Sequence, residues 1–356
     1  MSERSARPAW ARWVTRFSLV FAIAALVYTV HHLGLHTIGS YLKKLGWWWI
    51  AIVVFECTCT LLDATGMRAF LSPAKISLRQ ALLAQVSGRA INAVTPSGSL
   101  GEVVKVSVLT EYAPAERATG AILVYNLVSF GVELVVIAAA AIALLATEHL
   151  PAKIRILMIA AAIVCGIVGA VLYLLVTVGV AQSLGKLAWR LRLVSEERYL
   201  RWELSFAKID AKFRFAPGAR KRDRWLGISA VTASRLTSIT LSVMLLYALG
   251  QEVTASFVLA YIVGSYGIYF LSQLAPFGVG ISEAGYLEFF RALGWNPARG
   301  VSLIIARRVA LVMYATIGLV LLTVNETVRR AKREAHAARV GAPAAEPAPA
   351  AEVALP

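Results

Sequence analysis

Apolar positions along the chain gather in runs of about twenty residues or more, not in the short periodic stretches of a soluble fold. A bilayer core about 30 Å thick needs roughly 20 apolar residues per helix. Runs near residues 14–33, 47–71, 118–146, 154–180, 225–249 and 301–324 meet that need, several with Trp or Tyr at the ends, where amphipathic rings favour the interface. Two further stretches, 78–112 and 256–293, are apolar but interrupted midway by Gly and Pro. The breaks read Thr95-Pro96-Ser97-Gly98-Ser99-Leu100-Gly101 and Ala275-Pro276-Phe277-Gly278-Val279-Gly280. Each stretch predicts two short helical arms with a loop between. The pattern predicts an all-α polytopic membrane protein with about six full transmembrane helices and two Gly/Pro-broken re-entrant hairpins. A rival reading of the second stretch is that 256–273, nearly long enough, crosses on its own.

Composition removes the soluble alternative. Of 356 residues, 58% are hydrophobic and 16% charged, against roughly 45–50% and about 25% in soluble domains. The mean hydropathy is +0.68. The formal net charge of +16 reports orientation and contact with anionic headgroups before it suggests nucleic acid, which is not expected as a partner. Lys and Arg crowd the segment 182–224, whereas 250–254 has none, so the first is expected on the cytoplasmic side and the second outside. Arg4, Arg7, Arg12 and Arg16 at one end, and Arg329, Arg330, Lys332 and Arg333 at the other, place both termini inside. Lys43, Lys44, Lys153 and Arg155 run against this trend. The organisation expected is a basic cytoplasmic N-terminus at 1–13, a membrane domain at 14–324 with an amphipathic cytoplasmic loop at 182–224, and a disordered tail at 325–356 that is first basic and then rich in Ala and Pro. The first apolar run lacks a small-residue cleavage site and reads as an uncleaved span.

With this topology the first broken stretch enters and leaves from the cytoplasm and the second from outside. Interrupted segments at matching positions in halves of opposite orientation are the mark of an inverted repeat around a midplane site. The local sequences also rhyme: Pro96, Gly98, Gly101 and Glu102 in one, Pro276, Gly278, Gly280 and Glu283 in the other.

Candidate chemistry follows from these breaks. Amides freed at the start of a half-helix suit an anion, so Gly101 and Gly280 are expected to open arms toward a phosphate, with Arg89 and Lys105 as countercharge. Ser99-x-x-Glu102 is equally a capping box, which leaves Glu102 either as a cap or as a working carboxylate. Glu283 has less structural excuse and is read as marking a substrate or proton path. Arg307 and Arg308, early in the last span, are expected to pair with Glu283 or to hold phosphate. Glu56 and Asp63, and Asn126 and Glu133, lie seven apart on their helices and must face inward. Cys57, Cys59 and Cys165 read as small core residues, His32 and His36 lack a third metal ligand, and no nucleotide loop is present.

Asn92 to Lys105, as Asn-x-x-x-Pro-x-Gly-x-x-Gly-Glu-x-x-Lys, and Pro276 to Gly285, as Pro-x-Gly-x-Gly-x-x-Glu-Ala-Gly, resemble the two signature segments of the flippase-like lysylphosphatidylglycerol synthase transmembrane family. The resemblance extends over about 14–324, and hopanoid-associated membrane proteins are among the relatives it suggests. It implies movement of a lipid or lipid-linked headgroup across the membrane without a cofactor. Two departures stand out: Ser282 where a basic residue often precedes the glutamate, and Tyr125-Asn126 where a charged pair is usual. Synthases of the family carry a soluble aminoacyl-transferase domain after the membrane part, and the thirty-odd residues of tail here set the expectation of no aminoacyl transfer.

The expectation is thus a translocator in a bacterial-type inner membrane, not an enzyme. It would bind an anionic or phosphate-bearing lipid through Arg89, Asn92, Pro96, Gly98, Gly101, Glu102, Lys105, Pro276, Gly278, Gly280, Glu283, Arg307 and Arg308. The alternatives are a non-transporting membrane partner of a lipid-synthesis enzyme and an intramembrane lipid-modifying enzyme. The latter lacks a clear nucleophile, His pair or donor site.

Overall fold

Small residues decide how the first elements pack. Helix α1 (Trp48–Phe70) and helix α6 (Lys221–Ala248) approach closely along a seam of Cys59, Gly66, Gly227 and Ser234. A Cβ on Gly66 would lie 2.7 Å from the Val231 side chain, and one on Gly227 would overlap the Phe70 ring. The Ser234 hydroxyl donates to the Cys59 carbonyl at 3.2 Å across the seam. Without a hydrophobic drive between helices in lipid, close backbone approach of this kind supplies the van der Waals contact that joins them.

The protein is described by a computed structural model covering residues 36, 39–40, 43, 45–94, 100–147, 152–177, 190, 220–248, 250, 252–272, 281–297, 300, 303–307, 309, 316, 318, 320, 323–324 and 327. Between α1 and α6 run α2 (Leu78–Val94), α3 (Leu100–Leu109), α4 (Ala115–Thr147) and α5 (Ala152–Thr177). After α6 come α7 (Ala255–Ser272) and α8 (Ile281–Ala292), and the described residues between 303 and 327 are also helical. All regular elements among the described residues are helices. Of these, α1, α4 and α6 are long and apolar enough to cross a membrane.

The broken stretches are pairs of helical arms, as expected. At 1.5 Å per residue, α3 with 10 residues and α8 with 12 reach about 15 and 18 Å, too short to cross, while α2 and α7 reach about 26 and 27 Å. The partners pack on each other, α2 with α3 and α7 with α8. The breaks at 95–99 and 273–280 lie outside the described residues, as do the first span at 14–33, most of the loop expected at 182–224, whose residues 221–224 instead begin α6, and nearly all of the tail.

Three apolar clusters fill the interior. One joins α1, α2, α3 and α4 around Met67, Ile91, Val104 and Ile122. A second joins α6, α7 and α8 to Leu303, Ile304 and Ala306. A third lies where α4 meets α5 and α7. The outward faces carry Val54, Val135, Ile142, Ile156 and Ile167, all exposed, which in a membrane chain is the surface for acyl chains. Helix α8 ends on Gly294, whose φ of +74° suits glycine. The following Trp295 N–H donates to the Phe290 carbonyl at 2.9 Å, and its ring packs on Phe257 and Phe290. The last helical segment touches both pairs of arms: Leu303 and Ile304 lie in the cluster of α7 and α8, and a Cβ on Gly318 would be 2.6 Å from the Ala90 side chain of α2.

Candidate functional site

The polar side chains inside this fold form a network that α1 begins. Glu56, Thr60 and Asp63 follow one another at helical spacing, so all three face the same side. From α2, Arg89 donates to the Thr60 hydroxyl at 2.7 Å and to Glu56 at 3.0 Å, and Gln85 donates to the Asp63 carbonyl at 3.3 Å. From α6, Arg235 reaches the same face and gives Nη2 to both Asp63 oxygens at 2.8 and 2.9 Å. Its other terminal nitrogen lies 3.4 Å from Glu133 of α4, and Nη2 also approaches the Tyr125 hydroxyl at 3.3 Å. Asp63 is only 1% exposed, so the guanidinium is what makes its charge tolerable there.

Glu102 is the second centre. One oxygen accepts from Asn92 Nδ2 at 3.0 Å and from Lys105 Nζ at 2.7 Å, and the other accepts from Asn126 Nδ2 at 3.0 Å. One carboxylate thus ties α2, α3 and α4 together. Gly101 lets the arms meet: a Cβ there would overlap the Gly88 carbonyl and the Asn92 amide, and one on Gly88 would sit 2.8 Å from the Gly101 carbonyl. The Gly101 N–H donates to Asn92 Oδ1 at 2.6 Å. The Lys105 ammonium also sits 5.3 Å from the centre of the Tyr125 ring, which links this centre to Arg235.

These contacts give partners within the protein to the residues expected to meet an anion in the first pair of arms. The Gly101 amide, read as open to an anion, is satisfied by Asn92, because the close approach of α2 and α3 lays that side chain over the start of the arm. Lys105, read as countercharge to phosphate, is 3% exposed and paired with Glu102. Arg89, read the same way, is committed to Glu56 and Thr60. Glu102 does more than cap α3, since its partners come from three helices. Pro96, Gly98 and the Ser99 of the capping box lie outside the described residues.

In the second pair of arms, Tyr261 of α7 and Tyr286 of α8 pack with ring centroids 6.4 Å apart and bring both hydroxyls to one nitrogen of Arg307, each at 3.4 Å. These are long, weak bonds. Arg307 is exposed and has no carboxylate within ion-pair distance among the described residues, so the expected pair with Glu283 does not form there. Glu283 sits half-buried in the first turn of α8. Pro276, Gly278, Gly280 and Arg308 lie outside the described residues. Helix α7 packs on both α4, which carries Glu133, and α8, which carries Tyr286.

Arg235, Tyr125, Tyr261 and Tyr286 were not among the expected site residues. A lone arginine inside an apolar run is signal enough for the first, because a cation at membrane depth must have a partner. The tyrosines look like ordinary core aromatics until their hydroxyls are placed.

Helices of membrane-spanning length around an ionic interior, with two broken pairs of arms, define a polytopic membrane protein. The family model described as the lysylphosphatidylglycerol synthase TM region matches residues 16–318, and the chain belongs to that family. It is therefore a membrane protein related to lipid metabolism or transport. No curated protein and no solved structure matches the chain.

Proposed function

We propose that the protein translocates a phosphate-bearing lipid headgroup across a bacterial-type inner membrane, with both termini cytoplasmic and without acting as an enzyme. In this reading the two pairs of arms are re-entrant hairpins of an inverted repeat, and the headgroup passes between them while the acyl chains stay in lipid. The observation that carries it is Arg307. It is an exposed arginine in an apolar segment, and among the described residues it has two long hydroxyl contacts and no opposing carboxylate. Such a group has planar donors to spare for a phosphate. The surrounding tyrosines supply further hydroxyls, and Glu283 at the start of α8 sets which headgroups are admitted.

The test is exchange of fluorescent lipids between leaflets of proteoliposomes, with anionic and zwitterionic headgroups in separate preparations. Wild type is expected to exchange at least one of them. Arg307→Gln is expected to abolish exchange in folded protein, and Glu283→Gln to change headgroup preference. No exchange by wild type with any lipid would reject translocation, and a wild-type rate in Arg307→Gln would reject the site.

A further inference from the structure

The interior of α1, α4 and α6 holds two carboxylates against one guanidinium. Asp63 takes both short bonds from Arg235, at 2.8 and 2.9 Å, and Glu133 is left with one contact to that guanidinium at 3.4 Å, beside the neutral Ser129 hydroxyl. The neighbouring pairs, Glu56 with Arg89 and Glu102 with Lys105, match one carboxylate to one cation. The triad therefore carries a surplus negative charge among partly and fully buried groups, with the Glu133 side chain 15% exposed and that of Asp63 1%. A surplus charge in such a place is costly, and the least expensive way to remove it is to bind a proton on the carboxylate with the weaker partner.

The groups about Glu133 come from several helices. From α6 comes Arg235, from α1 Asp63, and from α4 itself Ser129, while Tyr125 of α4 meets Arg235. From α7, Tyr266 and Tyr269 lie within its field, and α3 contributes Lys105, which faces Tyr125 rather than Glu133. Cys165 of α5 packs in the apolar cluster between α4, α5 and α7. Among the described residues, Arg235 is the only cation that contacts Glu133, and it is shared.

We propose that Glu133 is a proton-carrying carboxylate that couples headgroup movement to a proton gradient, an inference that rests on the translocation reading above. A proton taken from water adds to a Glu133 oxygen and makes a neutral carboxylic acid. Arg235 then keeps Asp63 as its one ionic partner, and the charged tie between α4 and α6 is removed. Release of the proton restores the carboxylate and the tie. No other bond is made or broken, so the cycle moves one proton and switches one contact between α4, which also holds Asn126 on Glu102, and α6, which packs along α1.

Two measurements on the full chain test this. In pH-difference infrared spectra of purified protein, wild type is expected to show a carboxylic acid band that appears on acidification. Glu133→Gln should lack it and Glu133→Asp should keep it at a shifted position, while both keep the wild-type melting profile. An unchanged band in Glu133→Gln, or no band in wild type, overturns the proposal. In proteoliposomes under an imposed pH difference, wild type is expected to accumulate the exchanged lipid in one leaflet, an asymmetry abolished by a protonophore. Glu133→Gln should exchange lipid equally in both directions. Exchange by wild type that ignores the gradient overturns coupling. Absence of any wild-type exchange is instead the failure of the translocation reading, and the infrared band still decides whether Glu133 carries the proton.

Discussion

The two pairs of arms share a plan, a longer helix followed by a shorter one across a Gly/Pro break, and are held by different chemistry. Between α2 and α3 the contact is backbone against backbone at Gly88 and Gly101, locked by a carboxylate with three donors around it. Between α7 and α8 it is glycine against side chain. A Cβ on Gly264 would overlap the Phe289 ring, and one on Gly285 would sit 2.9 Å from Ile268. Aromatic rings surround that contact, and Arg307 beside it has two long hydroxyl bonds and no carboxylate among the described residues. A rigid ionic half faces a softer aromatic half. In the function proposed above, the first pair holds the fold and the second meets the ligand.

The largest effect is expected at Arg235. Truncation to Ala leaves Asp63, 1% exposed, without its cation, and breaking a buried pair from one side costs about 3–5 kcal/mol. Thermal unfolding of purified protein in detergent should show it. The double variant Asp63→Ala with Arg235→Ala should recover part of the loss, because it removes the stranded charge. A double variant no more stable than Arg235→Ala would mean that the pair does not hold α1 to α6.

Lys105→Met comes next and sharpens the contrast between the halves. It keeps the length of the side chain and removes the ammonium, so Glu102 retains Asn92 and Asn126 but loses its charged donor. A hydrogen bond to a charged group contributes about 1.5–3 kcal/mol, and a loss of that order is expected in the same melt. Replacing both partners, with Glu102→Gln beside Lys105→Met, should cost less than the lysine change alone.

Alanine in place of glycine compares the two pairs directly. Gly101→Ala forces apart two backbones, and overpacking of this kind costs about 1–3 kcal/mol. Gly264→Ala meets a ring that can turn aside, so its cost should fall at the lower end of that range or below it. Equal destabilisation would mean that the second pair is as rigid as the first.

Much of this was legible in the pattern of apolar runs. The runs at 47–71, 118–146 and 225–249 correspond to α1, α4 and α6, and the broken stretches to α2 with α3 and α7 with α8, because membrane length and Gly/Pro interruption are local properties. Pairing is not local. Asp63 and Glu133 were read as inward-facing, but their shared partner Arg235 lies 172 and 102 residues away, and only the packing of α1, α4 and α6 brings them together. Lys105 is the opposite case, because its partner Glu102 lies three residues away on the same helix and the ion pair is local. Its nearness in sequence to the break suggested a phosphate, while the i,i+3 spacing that brings it to Glu102 was equally present in the sequence.

The smallest stability effect and the sharpest functional one are expected at the same residue. Arg307→Gln removes two contacts of 3.4 Å to tyrosine hydroxyls and strands no carboxylate among the described residues, so the melt should move by about 1 kcal/mol or less. If the second pair of arms meets the headgroup, lipid exchange should nonetheless fall to the level of empty vesicles, whereas Arg307→Lys, which keeps the charge and loses the planar fork, should retain a reduced rate. Arg89→Lys gives the matching comparison in the first pair. Its charge serves Glu56 and Thr60, so it should shift the melt more than Arg307→Gln does and the exchange rate less. The opposite ordering of these two variants, in both measurements, would exchange the roles assigned to the two halves.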